Sequence, residues 1–128
     1  TPLYSSAASD VYKRQAVGHY VAYQAMEEAI NLAKSSGIGM VGIQEMGHSG
    51  AIGYFAEQAA KQGMVALTVC QSDPMVVPFG GTESYFGTNP IAFASPRKSG
   101  DPILFDMATT VQAWGENIRC TLKKQINT

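Results

Sequence analysis

The sequence predicts an α/β domain, and three observations carry that prediction. Apolar residues recur at helical spacing in two separate stretches, short runs rich in valine, isoleucine and leucine lie between and after them, and glycine- or proline-rich turns punctuate the alternation. Strand, helix and strand at this spacing predict a βαβ unit. Residues 38–43 are expected as its first strand, 52–60 as its helix and 64–70 as its second strand, parallel to the first and joined by a right-handed crossover.

Taken in order, residues 1–15 show neither helical nor strand periodicity and read as a tail or as sequence foreign to the domain. From Val17 the character changes. Ala22, Ala25, Met26, Ala29, Ile30 and Ala33 form a stripe at helical spacing, with Glu27, Glu28, Asn31 and Lys34 on the other side and Gly37 as the stop. His19 falls in the first turn of that helix and reads as a surface or half-buried residue. After the strand at 38–43 comes a tight polar turn holding His48, then a second helix whose buried face is Ile52, Phe55, Ala56, Ala59 and Ala60. Ser49 is its expected N-cap and Gly63 its left-handed end. The imidazole of His48 would then sit at the positive end of a helix, where the dipole disfavours protonation. Residues 74–89 form a Pro- and Gly-rich loop, 90–94 and 103–105 read as two more strands around the turn SPRKSGDP, and a short helical segment is expected around 111–114. Residues 116–128 are polar and weakly patterned.

Composition narrows the class of function. At 128 residues and 13.6 kDa, with 45% hydrophobic and 15% charged residues, the chain suits one packed domain. A formal net charge of −1 gives no electrostatic reason to expect nucleic acid or an anionic membrane as partner. Cys70 and Cys120 lack CxxC spacing and are expected as thiols in a reducing compartment. No apolar stretch approaches the ~20 residues that span a bilayer, and residues 1–15 have no secretory core, so the cytoplasm is the expected location.

Three motifs compete for the chemistry. GIGMVG at 37–42 has the letters of a dinucleotide fingerprint, but it follows a helix and enters a strand, the reverse of the required context. GHSGA at 47–51 is close to a nucleophile elbow with Ser49 as nucleophile. A triad of that type needs a histidine later in the chain, and none follows Ser49. With two histidines far apart and no HExxH spacing, no metal set is expected. His48 and Asp73 remain. Each is expected just beyond a strand's carboxyl end on one sheet edge, where ligands of open α/β sheets collect. Oxidising an alcohol by hydride removal also releases the hydroxyl proton, which a neutral imidazole can accept while a carboxylate orients it. A histidine between glycines is also commonly structural, and spacing alone leaves both roles open.

EMGHSGAIGYFAEQAAKQG, CQSDPMVVPFGG, FGTNPIAFASP and FDMATTVQAWG, in that order, resemble the malate/L-lactate dehydrogenase family, the non-Rossmann NAD(P)-dependent 2-hydroxyacid oxidoreductases. The resemblance covers about residues 16–115, and within the family it is strongest to the branch that oxidises a ureido-bearing 2-hydroxyacid in allantoin breakdown. It implies an α/β/α layered fold around a mixed sheet, of the L-sulfolactate dehydrogenase type. It further implies NAD, with NADP as the alternative, a small 2-hydroxyacid substrate, and a homodimer with the cofactor near its interface. On the same grounds His48 falls on the proton acceptor and Asp73 on the neighbouring acid. Ser72, Asp106, Met107 and Ala108 fall on cofactor-contacting positions, with Gly80–Gly81 and Thr88–Asn89 lining the same cleft. The family's N-terminal carboxylate-binding segment has no match in residues 1–15, and Glu116 stands where the family usually has lysine. The resemblance therefore implies an internal fragment, inactive or nearly so when isolated.

Overall fold

The computed structural model describes residues 17–111. The expectations for residues 1–15 and 116–128, for Cys120, and for a helix reaching Trp114 lie outside that range. Two helices and three strands follow in the order α1 (Gly18–Ser36), α2 (Gly53–Ala60), β1 (Ala66–Val69), β2 (Ile91–Ser95) and β3 (Ile103–Met107).

α1 forms where its stripe predicts. Val21, Ala22, Ala25 and Ile30 are buried and Met26 is partly so, while Gly37 ends the helix in the left-handed region (φ 83°), its N–H donating to the Ala33 carbonyl at 2.8 Å. α2 buries the expected set of Ile52, Phe55, Ala56, Ala59 and Ala60. Its end is a Schellman motif: the Gly63 N–H bonds the Ala60 carbonyl, the Met64 N–H bonds the Ala59 carbonyl, and Gly63 has φ 82°. Two polar links join the helices, Lys34 Nζ donating to Gln62 Oε1 at 2.8 Å and the Gln58 amide donating to Glu27.

The sheet is antiparallel throughout, in the order β1-β2-β3. Its inner face carries Ala66, Ala92 and Ala94, all buried, and these small side chains let Ala56, Ala59 and Ala60 of α2 approach closely. α2 thus lies between the sheet and α1. The register sets Leu67, Phe93 and Phe105 side by side on the outer face, and Val69, Ile91 and Met107 in the row next to them. All six are substantially exposed, Leu67 at 65%.

The α/β class holds, but the parallel βαβ unit is not formed among the described residues. Residues 38–43 make no strand, and β1 instead pairs antiparallel with β2. The segment keeps a strand's alternation, with Val41 and Ile43 packing on the α1 side of the core. Three physical facts keep it off the sheet. Glycines at 37, 39 and 42 raise the entropic cost of an extended ladder. Ile38 and Met40, 74% and 79% exposed, bury against nothing among the described residues. Gly39 lies so close to the Ala29 carbonyl that a Cβ there would clash, which holds the chain against α1 instead of at a sheet edge.

Ser49 does not cap α2, which opens four residues later. The cap comes from the sheet: the Gly53 N–H donates to Asp106 Oδ2 of β3 at 2.7 Å, and the Thr68 hydroxyl of β1 donates to the Ile52 carbonyl at 3.1 Å. Glycine is required at 53, because a Cβ would lie 2.7 Å from that carboxylate oxygen. Asp106→Ala is expected to lower the unfolding free energy by about 1 kcal/mol, the usual worth of a lost N-cap, and Gly53→Ala to destabilise as well, both read from urea unfolding curves. Replacing Leu67 and Phe105 by lysine should reduce binding of a hydrophobic fluorescent dye without loss of helical circular dichroism.

Candidate active site

His48 occupies an exposed turn between Gly47 and Gly50, and this turn rests on the start of α1. Gly18 is buried so tightly beneath it that a Cβ would clash with the Gly47 and His48 carbonyls. The rings of His19 and His48 meet edge to face, with centroids 6.3 Å apart and planes at 86°. Gly50 has φ 70°, and a Cβ on it would come within 2.5 Å of His19 Nε2. The helix that follows His48 begins only at Gly53, and its leading N–H is taken by Asp106, so the expected dipole effect of α2 on His48 loses its geometry. Ser49 is 6% exposed and no strand precedes its turn among the described residues, so the nucleophile-elbow setting is also absent there.

Asp73 is exposed in the segment after β1. Just before it, the chain is tied firmly. The Ser72 N–H donates to Asn89 Oδ1 at 3.0 Å, the Asn89 N–H donates to Ser72 Oγ at 3.1 Å, and the Ser72 and Thr88 hydroxyls lie 3.0 Å apart. Thr109 completes the knot: its N–H donates to the Thr88 carbonyl at 2.9 Å and its hydroxyl reaches the Thr88 and Asn89 carbonyls at 3.1 Å. Asn89 sits at φ 34°, a left-handed conformation that asparagine tolerates better than most residues. A Cβ at Gly87 would crowd the Ser72 carbonyl and lie 2.7 Å from Asn89 Oδ1.

The strands explain why these residues meet. Val69, Ile91 and Met107 form one rung, so the end of β1, the start of β2 and the end of β3 share a sheet edge. Ser72, Thr88–Asn89, Met107 and Ala108 all extend from that edge. Asp106 stands one rung inside it and commits Oδ2 to Gly53, leaving Oδ1 as an acceptor among the described residues. Ile52, held by Thr68 on the same rung, is four residues from His48, a chain reach of at most ~14 Å. The Ser72 knot therefore lies at one end of the sheet, and the chain enters α2 beside Thr68, one rung inside that end.

Gly80 and Gly81 stand apart from the knot along the chain, at the tip of a hairpin-like excursion closed by a bridge between Val76 and Phe86. Cys70 is a half-buried free thiol. No described helix is long and apolar enough to cross a membrane. Among the described residues no three of His, Cys, Asp or Glu gather as a metal set. Sequence reasoning missed His19, Asp106 as a cap, and Thr109. Only Gly18 and Gly53 hinted at close approach, and glycine alone does not say what approaches.

The architecture is that of the layered α/β dehydrogenases. The malate dehydrogenase of Pyrococcus horikoshii OT3 superposes with a TM-score of 0.73 at 45% identity, over 78% of this chain and 28% of its own. The chain belongs to the malate/L-lactate dehydrogenase family, whose profile matches residues 6–125. It is 57% identical over 101 residues to the NAD(+)-dependent ureidoglycolate dehydrogenase of Escherichia coli O157:H7, covering 79% of this chain and 29% of that protein. The malate dehydrogenase of Pyrococcus abyssi is 46% identical over 99 residues, 77% of this chain and 27% of its own length. The chain spans under a third of the length of these relatives.

Removing the knot tests whether it holds the edge. Ser72→Ala and Thr88→Val should each destabilise by about 1–3 kcal/mol, since each leaves a partly buried polar group unpaired, and their effects should be non-additive in a double-mutant cycle measured by chemical unfolding.

Proposed function

We propose that this chain is the histidine-bearing segment of an NAD-dependent dehydrogenase that oxidises the hydroxyl of ureidoglycolate to oxalurate. The observation that carries the reading is the 57% identity to a ureidoglycolate dehydrogenase across the stretch that presents His48 on an exposed turn. His48 takes the hydroxyl proton as the carbon gives up its hydride and becomes a carbonyl. Asp73 orients the imidazole and stabilises its protonated form. The carboxylate is exposed, and catalytic hydrogen bonds commonly tighten only around substrate.

The sheet edge suits a dinucleotide: it offers the second carboxylate oxygen of Asp106, the exposed apolar side chain of Met107, the small Ala108 and a backbone fixed by Ser72. NAD, when bound, supplies the hydride acceptor. Asp106, Met107 and Ala108 would hold it, while Ser72 fixes the turn beside it. The whole enzyme would act as a homodimer, as the family resemblance implies. Malate is the second reading for the substrate, favoured by the 46% identity to a malate dehydrogenase.

In the full-length protein that carries this segment, His48→Ala should lower kcat for NADH formation from ureidoglycolate by about 10²–10⁴-fold, the ordinary contribution of general-base catalysis. Ser49→Ala should leave hydride transfer largely intact. A higher kcat/KM for malate than for ureidoglycolate would overturn the substrate assignment, and unchanged turnover in His48→Ala would overturn the role of His48. The 128-residue chain alone should form no measurable NADH, because it lacks most of the length over which its relatives position substrate.

A further inference from the structure

We propose that His19 is a positioning residue for His48, a wall on the first turn of α1 that holds the acceptor imidazole in its working orientation. The inference rests on the assignment of His48 as proton acceptor.

His48 stands on an exposed turn flanked by Gly47 and Gly50, outside any helix or strand. Proton transfer from a bound hydroxyl needs the ring nitrogen within hydrogen-bond reach, so the orientation of the imidazole decides whether it can act. α1 supplies a rigid surface against which the ring can settle. His19 is fixed to a 19-residue helix and presents its ring edge to face with that of His48 at 6.3 Å and 86°, the geometry that aromatic quadrupoles favour.

The glycines around the pair fit this role. Gly18, next to His19, lets the start of α1 lie against the Gly47 and His48 carbonyls, where a Cβ would clash. Gly50 leaves room for the His19 ring, since a Cβ would sit 2.5 Å from Nε2. Gly18 must therefore be bare backbone beneath the turn, while a Cβ at Gly50 would push the His19 ring from its place beside the imidazole. His19 also lines an open groove of about 420 Å³ with Tyr20, Tyr23, Tyr54 and Phe55. The same ring thus borders an aromatic groove and the acceptor histidine.

Two variants of the full-length protein test this. His19→Ala removes the wall from an exposed helical position with little threat to folding, and His19→Phe keeps a flat ring without its nitrogens. Misplacing a reacting group by about 1 Å can cost ~10²-fold. His19→Ala should accordingly lower kcat by about tenfold or more with KM within about twofold, and His19→Phe should restore most of kcat. In protein labelled with 13C-histidine, the His48 Cε1–H resonance should move toward the value of histidine in a short peptide in His19→Ala and stay dispersed in His19→Phe. An unmoved His48 resonance in His19→Ala, an unchanged kcat, or a phenylalanine that fails to rescue would each overturn the proposal. If His48→Ala itself leaves turnover intact, the acceptor assignment fails first and the proposal falls with it. If His48→Ala abolishes turnover while His19→Ala does not, the positioning role alone falls.

Discussion

The hydrogen bond from the Gly53 amide to the Asp106 carboxylate joins the two layers of this molecule, and the position of everything else follows from it. A helix of eight residues has little stability of its own, because nucleation is costly and few internal bonds repay it. Here the first orphan N–H is satisfied by a residue 53 positions later in the chain, and the preceding carbonyl is taken by Thr68. The helix start is therefore defined by β1 and β3 and not by its own sequence. Once it is pinned, Phe55, Ala56, Ala59 and Ala60 meet the alanine face of the sheet, and α1 packs on what remains.

The same pinning decides which end of the sheet carries the candidate chemistry. An antiparallel three-stranded sheet brings to one edge the end of one strand, the start of the next and the end of the third. At that edge, Ser72, Thr88, Asn89 and Thr109 tie all three connecting segments to one another. Irregular backbone is thus made rigid by polar side chains where a strand ladder stops. The turn carrying His48 approaches from the helical layer and is braced by the start of α1.

Much of this is legible in the chain. Both helices announce themselves by the 3.6-residue spacing of alanine and isoleucine, and Gly37 and Gly63 end them in the left-handed conformation that glycine permits. β2 and β3 fall within a residue or two of the runs that predict them. Residues 38–43 mislead for a clear reason: extended apolar chain and paired strand share one periodicity, and pairing depends on a partner the sequence does not name. That ambiguity turns an antiparallel sheet into an expected parallel unit: Asp73 does follow the carboxyl end of β1, but no strand precedes His48 among the described residues. The cap is illegible for a related reason. A serine at the right offset is a local signal, whereas Asp106 reaches Gly53 only after the sheet has formed.

The carboxylate of Asp106 has two oxygens, and the fold occupies just one of them among the described residues. A ligand that donated to the other would grip the very side chain that anchors the helix. Occupancy and folding would then be thermodynamically linked through a single residue, each raising the other by mass action. Changes at position 106 would consequently mix lost affinity with lost structure, and a drop in turnover there would say nothing about cofactor contact until melting behaviour had been compared with and without the ligand.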